Sequence, residues 1–436
     1  MFGPSSNRLT PGKDLSFHPT PLKKPTAASP RVLVIGGGVT GLVSAWALLD
    51  RGYHVTVLAK EWASYGKEQR ITSQIAGALW EYPPASCGMH TDVISLEKSK
   101  VWAMVSYPIF KAMADDPELA LHAGVKMAKS DFFFSYLLED NAEQYAKMLE
   151  IKNCGVHGFC RDPGLIQERN VSTAFHAVDA YEFLAPIIDT DAAMAYLIRL
   201  VERKGARLVT ETIHGDLLDN EHELCSRFHV DAIVNATGLS GYELAGDHKC
   251  YPLRGGVIRV INDGKDFPKL DTALVMTAGA AKDPNDIIFI VPRNDNILLL
   301  GSITQPDEWR LDLSMESECI KRMRARCEQF YPPLKKARVD SEYPLAQGLR
   351  PFRSTNVRVE REPRRRRGPG GLRNRRARRS GMGSSRIVHS YGHGGAGWTL
   401  SFGCAADVVA LVEEVLVEAH NQVHDTPSGV LMMSKL

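Results

Sequence analysis

The stretch RVLVIGGGVTGLVSAWALLDRGYHVTVLAKE, residues 31–61, constrains this chain more than any other. Residues 31–35 read as a short buried strand, 42–49 have helical periodicity, and 53–58 alternate as a second strand. Between the first strand and the helix, Gly36, Gly38 and Gly41 stand in G-x-G-x-x-G spacing. The first glycine allows a tight turn, the second lets the backbone approach a pyrophosphate, and the third lets helix and strand pack closely. A diphosphate there meets the free N–H groups and the positive dipole end of a helix start. Glu61 follows Gly41 by twenty residues, at the distance expected of a ribose-binding acid. The segment predicts a Rossmann-like dinucleotide domain.

At 436 residues the chain is long enough for two domains. The pattern predicts a helix over 92–113, a strand over 131–138, and a helix over 190–204 capped by Asp189 or Thr190. Strands follow at 206–213, 229–236, 256–261, 287–292 and 297–302, then a helix over 315–330, a strand over 386–391, and a helix from 398 to about 418. Nucleotide-type α/β segments thus occupy both ends and the middle, with strand-rich segments interleaved. A nicotinamide dehydrogenase keeps its βα units contiguous, so the discontinuity favours a flavin enzyme.

The formal charge is +2, but nine arginines lie between Arg364 and Arg379 with no acidic residue among them. Removing those nine charges leaves −7, so no broad basic surface for nucleic acid is expected. The insert has no aromatic residue for base stacking and no apolar face. It reads as a disordered loop or as the translation of misassigned coding sequence. The eight cysteines (Cys87, Cys154, Cys160, Cys225, Cys250, Cys319, Cys327, Cys404) form no C-x-x-C and no zinc spacing, as expected of reduced thiols inside a cell. No apolar run reaches membrane-spanning length, so no membrane contact is expected. Residues 1–30 are rich in Pro, Ser, Thr and Lys and lack a hydrophobic signal core. The chain ends in Ser434, Lys435 and Leu436, the address read by the peroxisomal import receptor.

Several motifs together, VIGGGVTGL, TSQIAGALW, VNATG, YPLRGGVIRV, QGLRPFR, VRVERE and above all IVHSYGHGGAGWTLSFGCA, resemble the D-amino-acid oxidase family of FAD-dependent oxidoreductases. The resemblance spans about 31–418, apart from the arginine insert. It implies an α/β fold: a Rossmann-like FAD-binding domain assembled from 31–105, 185–250 and 384–420, with a strand-rich α+β substrate domain from 106–184 and 251–360. Flanking these would be a flexible tail over 1–30, a disordered insert over 361–383 and a tail over 421–436.

Carried over residue by residue, the resemblance assigns FAD contacts along the chain. Gly36, Gly38, Val39, Thr40 and Gly41 would hold the diphosphate, with Lys60 and Glu61 near the adenosine ribose. Thr72 and Ser73 would touch the phosphates. The backbone of Gly77, Ala78 and Leu79 would meet the flavin ring, with Trp80 beside it. Ile213 would read the adenine from a strand, and Thr237 and Gly238 would form a second cofactor turn. Gly394, Gly395, Ala396, Gly397, Trp398 and Thr399 would face the flavin's pyrimidine edge, where N–H groups at a helix start stabilise the charge of the reduced ring.

For catalysis the resemblance points to Arg350, whose guanidinium would grip an α-carboxylate through two parallel bonds, with Arg353 as its rival. The carbonyl of Gly395 would accept a bond from the substrate amine. His389 and His393 read as structural, because hydride transfer from Cα needs no side-chain base. The family's pocket tyrosines are replaced here by Phe289 and a residue near Asn285, which leaves Tyr251 or Tyr343 to supply a hydroxyl. The implied reaction passes hydride from the Cα of a D-amino acid to flavin N5. Dioxygen then reoxidises the flavin to give hydrogen peroxide, and a 2-oxo acid and ammonia are released. Two alternatives stay open: an oxidase of N-substituted glycines or other secondary amines, motivated by Phe289, and a non-catalytic flavin-binding remnant. A homodimer is left open as well.

Overall fold

The computed structural model describes residues 7–85, 93–276, 287–364 and 385–424. Two sheets organise them. The first has six strands in the order Arg358–Arg361, Ile387–Tyr391, Ala232–Asn235, Arg31–Ile35, His54–Ala59, Arg207–Thr210. Five run parallel, and Arg358–Arg361 is an antiparallel edge. Its central strand is buried on both faces, which is why it reads as an unbroken apolar run. Val32 and Val34 pack under the helices Val39–Asp50, Thr190–Arg203 and Gly397–His424. Leu33 and Ile35 pack with Leu217, Leu218 and Leu224 of the helix Leu217–Phe228 on the other side.

The second sheet has nine strands, built around the long strand Cys250–Ile261. Leu345–Arg353 and Ile297–Gly301 both pair antiparallel with it. Further out, Val125–Phe134 and Asp179–Ile188 pair over ten residues. The helix Glu318–Phe330 covers one face with Ile320, Met323, Cys327 and Phe330, an apolar stripe at helical spacing.

Several boundaries depart from the sequence reading. Residues 7–30 are a strap, not a flexible tail: Leu9 and Leu15 are buried, and Asp50 accepts from the N–H groups of Ser16 (2.8 Å) and Leu22 (3.0 Å). Backbone groups make these bonds, so composition did not signal them. Arg358–Arg361, expected in the substrate domain, closes the edge of the six-stranded sheet. The helix Val93–Asp115 runs across the expected boundary at 105 and packs as one piece on Gly397–His424. Residues 361–364, expected in a disordered insert, are ordered by ion pairs of Arg361 with Glu418 and of Arg364 with Asp216 and Glu362. The strand expected over 131–138 spans Val125–Phe134, and the one expected over 206–213 stops at Thr210, so Ile213 lies beyond it. The remainder of the arginine insert, 365–384, and the ending Ser434–Lys435–Leu436 lie outside the described residues.

Candidate active site

The two sheets face each other across one cleft of about 600 Å³. Its floor on the nucleotide side is the loop 36–40. Gly36 has φ +126°, and a Cβ there would lie 2.3 Å from the Ala236 carbonyl oxygen. Only glycine allows the first strand and the 236–238 turn to come this close. Gly41 is the exception among the expected cofactor residues: it does not line the cleft. A Cβ on it would lie 2.0 Å from the Gly36 carbonyl oxygen, so it packs behind the loop and lets the helix begin there. Gly38 is the N-cap of the helix Val39–Asp50. The first N–H groups of a helix have no intrahelical acceptor, and that of Val39 donates to Ser73 Oγ (3.0 Å).

The other expected cofactor residues all line this cleft: Lys60 and Glu61 at its exposed rim, Thr72 and Ser73, Gly77 to Leu79, Ile213, Thr237 and Gly238, and Gly394 to Thr399. Trp80 is buried beneath the wall, donating to the Ala103 carbonyl. Trp398 Nε1 donates to the Ser73 carbonyl (2.8 Å), which ties the start of the helix Gly397–His424 to the short helix Thr72–Ile75. The buried Ser390 Oγ also borders the cleft and has no hydrogen-bond partner among the described residues. A cradle closed to Cβ atoms, two helix starts and an orphaned hydroxyl fit a dinucleotide with a polar ring.

The end of the cleft at the nine-stranded sheet is cationic. Arg350 donates through one terminal nitrogen to the Ile303 carbonyl (3.1 Å) and through the other to Ser302 Oγ (2.7 Å). Its guanidinium lies where the Cβ of Gly255 would be, 2.3–2.5 Å from that position. No carboxylate among the described residues pairs with it, so its charge faces the cleft uncompensated. The rival Arg353 is committed elsewhere: it donates to Asp247 (2.8 Å) and does not line the cleft. Tyr251 and Tyr343 also stay off the wall. Tyr343 stacks under Arg70, 4.0 Å from its ring centroid. Phe289 does line the cleft, its ring against Gly77, whose Cβ would lie 2.5 Å away.

Behind the cleft runs a buried polar chain. Thr237 Oγ1 (2.7 Å) and the Thr237 N–H (3.3 Å) both donate to Asn235 Oδ1. Asn235 Nδ2 meets His389 Nδ1 (3.2 Å), and His389 Nε2 meets Glu362 (3.1 Å). Burial lowers the His389 pKa. Burial alone would raise that of Glu362, but hydrogen bonds from His389 and Arg364 outweigh it and hold the carboxyl far below its usual range.

Sequence reasoning missed Gly255, Ser302, Asn235 and Arg293. Arg293 is buried and clamps the 76–79 loop by donating to the carbonyls of Ile188 (3.0 Å) and Ala76 and to Thr190 Oγ1 (2.6 Å). Burial brings it down to about 10. The loop it holds contains Ala78 at φ +49°, a conformation costly for a non-glycine residue. The doubled glycine at 255–256, inside a strand, was the available signal of close backbone approach.

A dinucleotide cradle on a discontinuous parallel sheet, closed by a strand-rich domain bearing a free cation, defines a flavin-type oxidoreductase. The chain belongs to the FAD dependent oxidoreductase family, whose model matches residues 31–411, and FAD is its cofactor. It is 30% identical to a D-amino-acid oxidase of Rubrobacter xylanophilus over 88% of this chain and 97% of that protein. It is also 30% identical to one of Dictyostelium discoideum over 88% and 92%. Among solved structures, glycine oxidase from Bacillus cereus superposes with a TM-score of 0.62 at 17% identity, over 89% of this chain and 98% of that one.

Proposed function

We propose that this chain oxidises D-amino acids to 2-oxo acids, consuming dioxygen and water and releasing ammonia and hydrogen peroxide. The observation that carries the reading is Arg350, a cation at the cleft's substrate end whose two hydrogen bonds go to neutral oxygens. A guanidinium has five N–H donors, so three remain for an α-carboxylate. Bound FAD supplies the two-electron acceptor, which dioxygen regenerates. Arg350 anchors the carboxylate and so fixes how the amino acid lies between the two walls. The Gly395 carbonyl, at the cleft mouth, accepts from the substrate amine. N–H groups at the start of Gly397–His424 favour negative charge beside them. Ile75, Val257 and Phe289 give this end apolar walls. His389 is held between Asn235 and Glu362 and moves no proton.

The test is peroxide release over a panel of D- and L-amino acids. Several D-amino acids should respond, and Arg350→Ala should lower kcat/KM by about one to two decades through the lost charged bonds. Peroxide from no D-amino acid, or an unchanged Arg350→Ala enzyme, defeats the reading. Phe289 favours a second reading, oxidation of glycine or N-substituted glycines, because its ring offers the carboxylate no hydroxyl. Sarcosine or glycine outpacing every D-amino acid in the same panel would select it. Peroxisomal import through Ser434, Lys435 and Leu436 belongs to the proposal too: a reporter fused ahead of this ending should become punctate in eukaryotic cells and diffuse once the three residues are removed. A homodimer is its oligomeric counterpart, to be checked by sedimentation.

A further inference from the structure

The buried chain Glu362–His389–Asn235–Thr237 admits only one arrangement of its hydrogens. The Thr237 N–H can only donate, so the Asn235 atom beside it is the amide oxygen. The amide nitrogen, which can only donate, then points at His389 Nδ1. That nitrogen must carry no proton, so the neutral ring bears its proton on Nε2, where the Glu362 carboxylate accepts it. Asn235, His389 and Glu362 are all buried, so water does not offer an alternative partner.

We propose that Glu362 and His389 are positioning residues for the cofactor: by fixing the ring tautomer they fix the flip of the Asn235 amide, which holds the Thr237 turn in the shape that receives FAD. The inference rests on the cleft being the FAD site. Thr237 and Gly238 lie on its wall, and Gly238, at φ +59°, is a residue that adopts positive and negative φ about equally readily, so the backbone alone does not select the turn's shape. The amide makes that selection by binding the hydroxyl and the N–H of Thr237 at once. The anchor lies just past the edge strand: Arg364 donates to Glu362 through Nε (2.9 Å) and a terminal nitrogen (2.5 Å), and itself pairs with Asp216. Residues at the mouth of the arginine-rich segment thus hold the far end of a chain that terminates on the cofactor cleft.

Two matched substitutions separate positioning from packing. His389→Asn places an amide oxygen near the Nδ1 position and keeps an acceptor for Asn235. His389→Leu has similar volume and offers none. FAD titrated into the cofactor-free full-length chain, followed by flavin fluorescence, should give a dissociation constant raised about tenfold by His389→Leu and within about threefold of wild type for His389→Asn. Equal losses in both variants, tracking equal losses of Tm, would overturn the inference. A direct check avoids any folding problem: nitrogen NMR of the wild-type protein labelled at histidine should show His389 protonated on Nε2, and a proton on Nδ1 would refute it. A wild-type chain that binds no FAD at all removes the cleft reading as well, which distinguishes the two failures.

Discussion

Arg350 is aimed by its neighbours. Its strand pairs with Cys250–Ile261 so that Gly348 lies opposite Gly255 and Arg350 opposite Leu253. The side chain leans back along the diagonal and fills the space a Cβ on Gly255 would take. Gly255→Ala therefore puts a methyl 2.3 Å from a guanidinium nitrogen, and the flexible end of Arg350 yields before two paired strands do. The KM for the amino acid should rise about tenfold, as when a charged bond is weakened. FAD affinity should change less than KM, because the added methyl meets only the Arg350 guanidinium. Steady-state kinetics beside a flavin titration measures both, and an unmoved KM would mean that the glycine is mere packing. Arg350 was visible in the sequence because it stands inside an uninterrupted motif, Gln347 to Arg353. Its supports were not. Gly255 and Ser302 reach it through strand register and a turn, and neither can be read from a single strand. The same limit applies to Arg353, whose commitment to Asp247 is set by tertiary contact and not by its neighbours in sequence.

Elements with their own period were legible, and those held by foreign side chains were not. The Val39–Asp50 and Thr190–Arg203 helices appear in the sequence because apolar spacing and a capping Asp189 mark them. The helix Leu217–Phe228 escaped notice because Glu221 interrupts its apolar stripe; that carboxylate is buried, accepting from Ser385 Oγ and the Arg386 N–H. The 7–30 strap escaped for the opposite reason. Its fastening sits on residues far away in the chain. Asp50 and Lys204 form a fully buried pair (2.7 Å), Trp46 Nε1 donates to Asp50 (2.8 Å) and to the Ser16 carbonyl (3.1 Å), and Lys204 donates to the Thr20 carbonyl (3.2 Å). Removing one partner of such a pair leaves the other charge stranded in the interior. Asp50→Asn should cost about 3 kcal/mol by denaturant unfolding and make residues 7–22 the first site of protease cleavage. FAD should still bind, since neither Asp50 nor Lys204 touches the cleft. A stability change below about 0.5 kcal/mol, the range of ordinary surface substitutions, would show the strap to be loosely laid on the helix.

At the scale of the whole molecule, both sheets wall the one cleft. The nucleotide sheet contributes 36–40, 236–240 and 390–399; the other contributes 255–257, Phe289, Ser302 and 348–351. A ligand bound across both walls stabilises both sheets, because unfolding either one releases it. At a free concentration one hundred times its dissociation constant, FAD should add about 2.7 kcal/mol to the unfolding free energy. Where that energy acts is the sharper question. If FAD spans the cleft, amide exchange should slow in the Leu345–Arg353 strand as well as in the 36–40 and 394–399 loops. The adenosine diphosphate portion alone should slow only the 36–40 loop, because it reaches neither Phe289 nor Arg350. Hydrogen exchange with no ligand, with ADP and with FAD measures the difference segment by segment. If FAD protects no more of the nine-stranded sheet than ADP does, the strand-rich domain is not a wall of the cofactor site. Arg350 would then have no cofactor to work against, and the division of labour between the two sheets would fail with it.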